Sequence, residues 1–216
     1  MRLPSELNRI RIFLRPAVVN RYLKKNPDPK LHLGSGNNVV PGWLNSDKFD
    51  SRSDIYLNVC AALPFRDNIF PLVYAEHLLE HIPIRRIRHV FSEVFRILKP
   101  GGLFRVSVPG LELFAKNYVQ GNDEFFRPYK EDYELERKAG KSRAWILRTN
   151  GAYFMTLAHF FHHRWMYDFE TLEACGRETG FSRILRQEFR KSVSPEAAQM
   201  DREKRKPESI YADLIK

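Results

Sequence analysis

Leu31-His32-Leu33-Gly34-Ser35-Gly36, then Asn37 to Gly42, then Trp43-Leu44-Asn45-Ser46-Asp47 is the stretch on which the fold turns. The first run reads as a short buried strand that passes directly into a Gly-x-Gly turn. Glycine there permits positive φ and, having no Cβ, lets a ligand approach the backbone closely. A dinucleotide site needs a third glycine opening a helix that receives the pyrophosphate. Only Asn37 to Gly42 separate this turn from the next strand, too few residues for a normal crossover helix, so NAD and FAD are disfavoured. Asp47 closes the second strand, at the end of a parallel sheet where ligands bind, and its carboxylate can accept two hydrogen bonds from a ribose diol. Aspartate is also a common turn former, and Ser46-Asp47-Lys48 fits that role too.

Outward from this stretch, short apolar runs alternate with helical patterns. Asp54 to Asn58, Phe70 to Ala75 and Leu103 to Val108 read as strands. Between the last two, Ile87, Val90, Phe91, Val94 and Leu98 share one face of a helix from about Ile84, which stops at Lys99-Pro100-Gly101-Gly102. The alternation predicts an α/β fold with a parallel sheet. Residues 111–164 differ, mixing charges with Phe114, Tyr118, Phe125, Phe126, Tyr129, Tyr133, Trp145, Tyr153 and Phe154, and read as an insertion over the ligand-binding edge. Asp168 is placed to N-cap a helix through Leu172 and Cys175 to Gly180. Phe181 to Phe189 and Ser209 to Ile215 read as the final strands, joined by a polar stretch from Lys191 to Pro207.

A chain of 216 residues with 43% hydrophobic content fits one domain. We expect a basic N-terminal helical segment over 1–29, then the main domain over 30–216. No run approaches the roughly 18 apolar residues of a membrane span, and Arg9, Arg11, Arg15 and Pro16 break any signal-peptide core, so a cytoplasmic location is expected. Cys60 and Cys175 stand far apart without a CxxC pair, which argues against a disulfide framework, and no metal site is expected.

The net charge of +10 is concentrated at the start: Met1 to Lys30 hold eight basic and two acidic side chains. Leu7, Ile10, Phe13 and Leu14 recur at helical spacing among the arginines, predicting a basic amphipathic helix ended by Pro16. Such a helix can dock on the domain and cover its ligand, or give peripheral contact with an anionic membrane through 1–25. The same charge would also attract nucleic acid.

Several further motifs, in order, carry a resemblance: Leu63-Pro64-Phe65-Arg66-Asp67-Asn68-Ile69-Phe70, Glu76-His77-Leu78-Leu79-Glu80-His81, Ile97-Leu98-Lys99-Pro100-Gly101-Gly102, Val106-Ser107-Val108-Pro109, and Trp165-Met166-Tyr167-Asp168 through Gly180-Phe181. With the opening stretch, this succession resembles the class I S-adenosylmethionine-dependent methyltransferases, especially the small bacterial type 11-like proteins often encoded with polysaccharide biosynthesis. The resemblance implies a Rossmann-like three-layer sandwich with a seven-stranded, mostly parallel sheet whose last strand is antiparallel. It also implies S-adenosylmethionine as cofactor, with Gly34, Ser35 and Gly36 along the methionine part, Asp47 on the ribose, the turn of Asn58, Val59 and Cys60 at the adenine, and Glu76 and His77 facing the sulfonium. Two positions depart from the family pattern: Asn58 stands where Asp is usual, and Pro71 replaces an Asp.

Methyl transfer needs alignment more than covalent help, because the sulfonium is already activated. A base is required only where the acceptor has a proton to lose, and His77, His81 and His163 are the candidates. The expected function is methylation of a hydroxyl or similar nucleophile on a glycan or small metabolite. Two alternatives stand beside it: an inactive methyltransferase-like binding module, motivated by Asn58 and Pro71, and an RNA methyltransferase, motivated by the charge.

Overall fold

The computed structural model describes residues 6–140, 149–159 and 162–216, and only the backbone of 132, 133, 136 and 156–159. In chain order its strands are β1 (Lys30–Leu33), β2 (Leu44–Asp47), β3 (Ile55–Tyr56), β4 (Phe70–Glu76), β5 (Leu98–Pro109), β6 (Arg183–Gln187) and β7 (Ser209–Ile215). They form one sheet in the order β3-β2-β1-β4-β5-β7-β6. Leu31 of β1 lies opposite Leu44 of β2 on one side and Val73 of β4 on the other, both in parallel pairing. The last strand, β7, runs antiparallel to β5 and β6. The chain winds outward from β1 to β3 and then crosses back to β4. The strand order therefore reverses between β1 and β4, and the crevice beyond their C-terminal ends is where an open α/β sheet binds its ligand.

One sheet face is covered by α1 (Glu6–Lys25), α2 (Ile84–Ile97) and α6 (Phe169–Glu178). Val19, Leu31, Leu33, Val73, Ala75, Val90, Phe91, Val94 and Leu172 belong to this core. No helix connects β1 to β2, and α1 covers that part of the face instead. Contrary to expectation, Pro16 does not end the helix but lies inside it. Proline removes one helical hydrogen bond and kinks the chain. Packing beyond it holds the helix: Val19 is buried, Tyr22 Oη accepts from Lys30 N at 2.9 Å and donates to Gly42 O at 3.0 Å, and Arg11 donates to Ser53 Oγ at 2.7 Å. The helix stops before Pro27 and Pro29, as the sequence requires.

The other face packs Trp43, Leu72, Tyr74 and Leu103 against Ala197 and Met200 of a short helix, α7 (Pro195–Met200). This helix lies in the polar stretch that joins the last two strands. Its signature was local: Ser194 accepts from Ala197 N, and Pro195 occupies the first turn. On the same face Arg105, fully buried, donates to Asp201 Oδ2 at 2.6 Å and Asp213 Oδ1 at 3.1 Å.

His32, on β1, is buried beside Tyr74 and Trp43, and its Nδ1 donates to Asn45 Oδ1 at 3.3 Å. Burial pushes its pKa down to about 4. The unfolded chain then takes up this proton first, so stability falls as pH drops through the interval from about 6.5 to about 4. By pH 4 this group alone removes roughly 3 kcal/mol. Denaturant titrations across that interval should show a steeper loss in the wild type than in His32→Gln, and parallel curves would refute the assignment.

The insertion builds α3 (Leu111–Val119), α4 (Asp123–Lys138) and α5 (Asn150–His159). Phe114, Phe126 and Tyr153 form a separate small core joined by Phe125, Tyr129, Phe154 and Met166. Tyr129 donates to Glu208 Oε2 at 3.0 Å, and a bridge between Gly110 and Tyr167 closes the two ends of the insertion. Trp145 lies outside the described residues.

Candidate active site

The Gly34–Gly36 turn leaves β1 beside the point of strand reversal. Gly34 and Gly36 have φ of 65° and 50°, the left-handed region that favours glycine. A Cβ on Gly34 would lie 2.7 Å from Leu78 Cδ1, whereas one on Gly36 would meet nothing within 4 Å. The Gly36 backbone thus borders open space, and the turn also holds a buried hydroxyl, Ser35 Oγ, without a hydrogen-bond partner. Both features fit a turn built to receive a polar ligand.

Asp47 holds its own turn and the glycine turn through backbone hydrogen bonds. Oδ2 accepts from Gly36 N at 3.0 Å, which ties the carboxylate to the glycine turn, and Oδ1 accepts from Phe49 N at 2.6 Å and Asp50 N at 2.8 Å. A carboxylate has about four acceptor sites, so three backbone donors leave room for a ribose hydroxyl. At the next strand end, Leu57 N donates to Asp47 O at 3.1 Å and Asn58 Oδ1 accepts from Cys60 N at 3.3 Å. The Asn58–Val59 turn therefore stands next to Asp47. The donor set suits S-adenosylmethionine: a glycine turn, a carboxylate for a diol, and an adjacent turn for the base.

Glu76 departs from its expected place at the sulfonium. It is buried at the end of β4, where Oε1 accepts from Tyr74 Oη at 3.2 Å and Arg202 N at 3.1 Å while Oε2 pairs with Arg202 Nε. Its charge is committed to the α7 side of the sheet.

His77 has a left-handed backbone, with φ of 50°, which is uncommon outside glycine and often marks functional sites. Its Nε2 lies 2.7 Å from Ser209 Oγ and its Nδ1 3.4 Å from Glu80 Oε1. Burial, helped by Arg205, holds its pKa well below the usual histidine value, so it stays neutral. Glu80 lies in the 3-10 turn Leu79–His81, fully buried, and burial pushes its pKa up to about 8. His81 Nε2 is 3.9 Å from Glu80 Oε1, and the His81 ring meets the His163 ring edge-on at 4.8 Å. The three candidate histidines thus converge on Glu80. Sequence reading passed over that carboxylate, although an acid between two histidines and flanked by Leu79 and Ile82 was its signal.

Of the three, His81 is the most open, with its side chain 40% exposed. Asp168 is the N-cap of α6, accepting from Thr171 N at 2.8 Å, and the Thr171 hydroxyl together with that N–H holds its carboxyl below the usual range.

A seven-stranded sheet in this order, with its last strand antiparallel and a glycine turn tied to Asp47 at the reversal point, defines the class I methyltransferases. Residues 33–106, about a third of the chain, match a family model described as a methyltransferase domain. A crystal structure of a methyltransferase from Archaeoglobus fulgidus superposes with a TM-score of 0.52 at 13% identity, covering 98% of this chain and 95% of that one. Sterol 24-C-methyltransferase erg6 of Schizosaccharomyces pombe is 48% identical over 44 residues, 20% of this chain and 11% of that protein. Sterol 4-C-methyltransferase strm-1 of Caenorhabditis elegans is 33% identical over 103 residues, 45% of this chain and 28% of that protein. The matched stretches are thus a minor part of both relatives.

Proposed function

We propose that the chain transfers the methyl group of S-adenosylmethionine to a hydroxyl or similar nucleophile on a glycan or small metabolite. The observation that carries this reading is the hydrogen bond from Gly36 N to Asp47 Oδ2, 3.0 Å, which joins the glycine turn and the carboxylate into one cradle at the point of strand reversal. S-adenosylmethionine supplies the activated methyl. Gly34, Ser35 and Gly36 line its amino-acid end, Asp47 holds the ribose, Asn58 and Val59 border the adenine, and His77 faces the sulfonium. His81 is the base for an acceptor that must lose a proton, because it alone among the three histidines is open to solvent on this scale.

A second acceptor class is favoured by α1. Leu7, Ile10 and Phe13 are 54%, 56% and 83% exposed, so the half of the helix before Pro16 leaves its apolar face uncovered while the half after it docks. Arg21, Lys24 and Lys25 follow on the same helix. This pattern suits an anionic lipid surface carrying the acceptor, and among the described residues no helix is long and apolar enough to cross a membrane.

Calorimetry with S-adenosylhomocysteine and NAD tests the cofactor, and transfer of labelled methyl into glycan, metabolite and lipid fractions tests the acceptor. Asp47→Ala should weaken cofactor binding by about 1.5–3 kcal/mol through lost hydrogen bonds to a charged group. Because Asp47 also caps its turn, the variant should lose about 1 kcal/mol of stability as well. Preference for NAD, or an unchanged dissociation constant in Asp47→Ala, would overturn the reading.

A further inference from the structure

We propose that Glu80, His81 and His163 form a binding site for one divalent transition-metal ion, with zinc as the reference ion. Each residue offers one ligand atom, and the three atoms lie within 4.8 Å of one another. One carboxylate and two imidazoles are a common donor set for zinc and for non-haem iron.

Glu80 is the strongest argument. Its side chain is 1% exposed, neither carboxylate oxygen has a hydrogen-bond partner, and no lysine or arginine among the described residues forms an ion pair with it. A carboxylate so placed is costly unless a proton or a cation occupies it. The surrounding groups are the right kind for a cation. His81 Nε2 already lies 3.9 Å from Glu80 Oε1, and His77, at 3.4 Å on the other side, is anchored through Ser209 Oγ and can orient the carboxylate.

His163 comes from the far side of the insertion, yet its position is set by backbone. Arg164 N and Trp165 N both donate to Glu80 O, at 2.6 and 3.3 Å, which staples the segment after the insertion onto the 3-10 turn. Ligand atoms about 2.0–2.2 Å from a tetrahedral ion lie roughly 3.3 Å apart, so side-chain rotation on this fixed backbone closes the site. Three protein ligands would leave a fourth position open. With His81 partly exposed, that position faces the side from which an acceptor enters. There an ion would replace His81 as the means of deprotonation, since a ligating imidazole cannot also be the base: a bound hydroxyl becomes more acidic, its proton passing to water before the oxygen takes the methyl and the sulfur leaves as the neutral thioether. This role rests on the proposed function, whereas the binding does not.

Metal binding to tag-free, chelator-stripped full-length protein is the test, read by zinc calorimetry and by the visible absorption of bound cobalt(II). One ion per chain is expected, at a dissociation constant of about 10 µM or tighter. Glu80→Gln and His163→Ala should weaken it at least ~10-fold, and His162→Asn, in the neighbouring histidine, should not. Circular dichroism guards against a variant that fails to fold, and Glu80→Gln, a neutral isostere, keeps the shape of the site. No ion bound at micromolar concentration, an affinity unmoved by either ligand variant, or an equal loss in His162→Asn would overturn the proposal. Cofactor calorimetry on the same stripped protein separates the two readings: binding of S-adenosylhomocysteine without metal binding defeats the metal site alone.

Discussion

Gly34→Val is expected to abolish S-adenosylhomocysteine binding at concentrations that saturate the wild type, and to lower stability by about 2–4 kcal/mol. Two causes add. A β-branched residue is a genuine outlier at the φ of 65° that this turn requires. Its Cβ would also lie 2.7 Å from Leu78 Cδ1, pushing Leu78 away and with it the segment from His77 to His81. Gly36→Ala is the informative contrast, because a Cβ there meets nothing within 4 Å. It should cost only about 1 kcal/mol of stability, from the left-handed backbone, yet impair cofactor binding by filling the space that the ligand uses. Chemical denaturation and calorimetry on both variants separate the two effects. Normal binding by Gly36→Ala would show that the open space beside the turn is not the cofactor site.

Arg105→Met should destabilise the protein by about 3–5 kcal/mol in a urea titration, as expected when one partner of a buried ion pair is removed. Arg105 is fully buried between Asp201 and Asp213, and its Nη2 also donates to Glu188 O at 3.2 Å. Removing it leaves two buried carboxylates without their counter-charge, although Asp213 keeps donors from Gln187, Ser192 and Val193 and Asp201 keeps the Arg190 N–H. Burial already pushes the carboxyl of Asp201 upward with the arginine in place, so the single variant should take up a proton on folding near neutral pH. Adding Asp201→Asn should recover part of the loss. The effect reaches the end of β4, since Arg202, next to Asp201, holds Glu76, the residue before His77. A loss under about 1 kcal/mol would show that the network contributes little.

The features legible in the sequence are those encoded by neighbouring residues. The strand entering Gly34-Ser35-Gly36, the helix from Ile84, the cap at Asp168 and the strand from Ser209 to Ile215 all stand where periodicity and turn chemistry put them. In each case the deciding interaction is a backbone preference or a hydrogen bond spanning a few residues. Asp47 likewise stands at the end of its strand, beside the glycine turn.

What the tertiary structure alone decided depends on contacts between distant segments. Pro16 reads as a helix stop, and is one in isolation, but burial of Val19 and the bonds from Tyr22 hold the next turns helical against the sheet. The family resemblance turns Glu76 toward the sulfonium, and only the return of the chain through α7 brings Arg202 to pair with it. The approach of His163 to Glu80, beside the locally placed His77 and His81, has no local signature. It exists because the backbone of Glu80 accepts from Arg164 and Trp165 across the whole insertion. Local rules therefore set the strands, caps and cofactor turn of this protein, while the state and partners of its buried charges were set by which distant side chains the fold brought into a medium that excludes water.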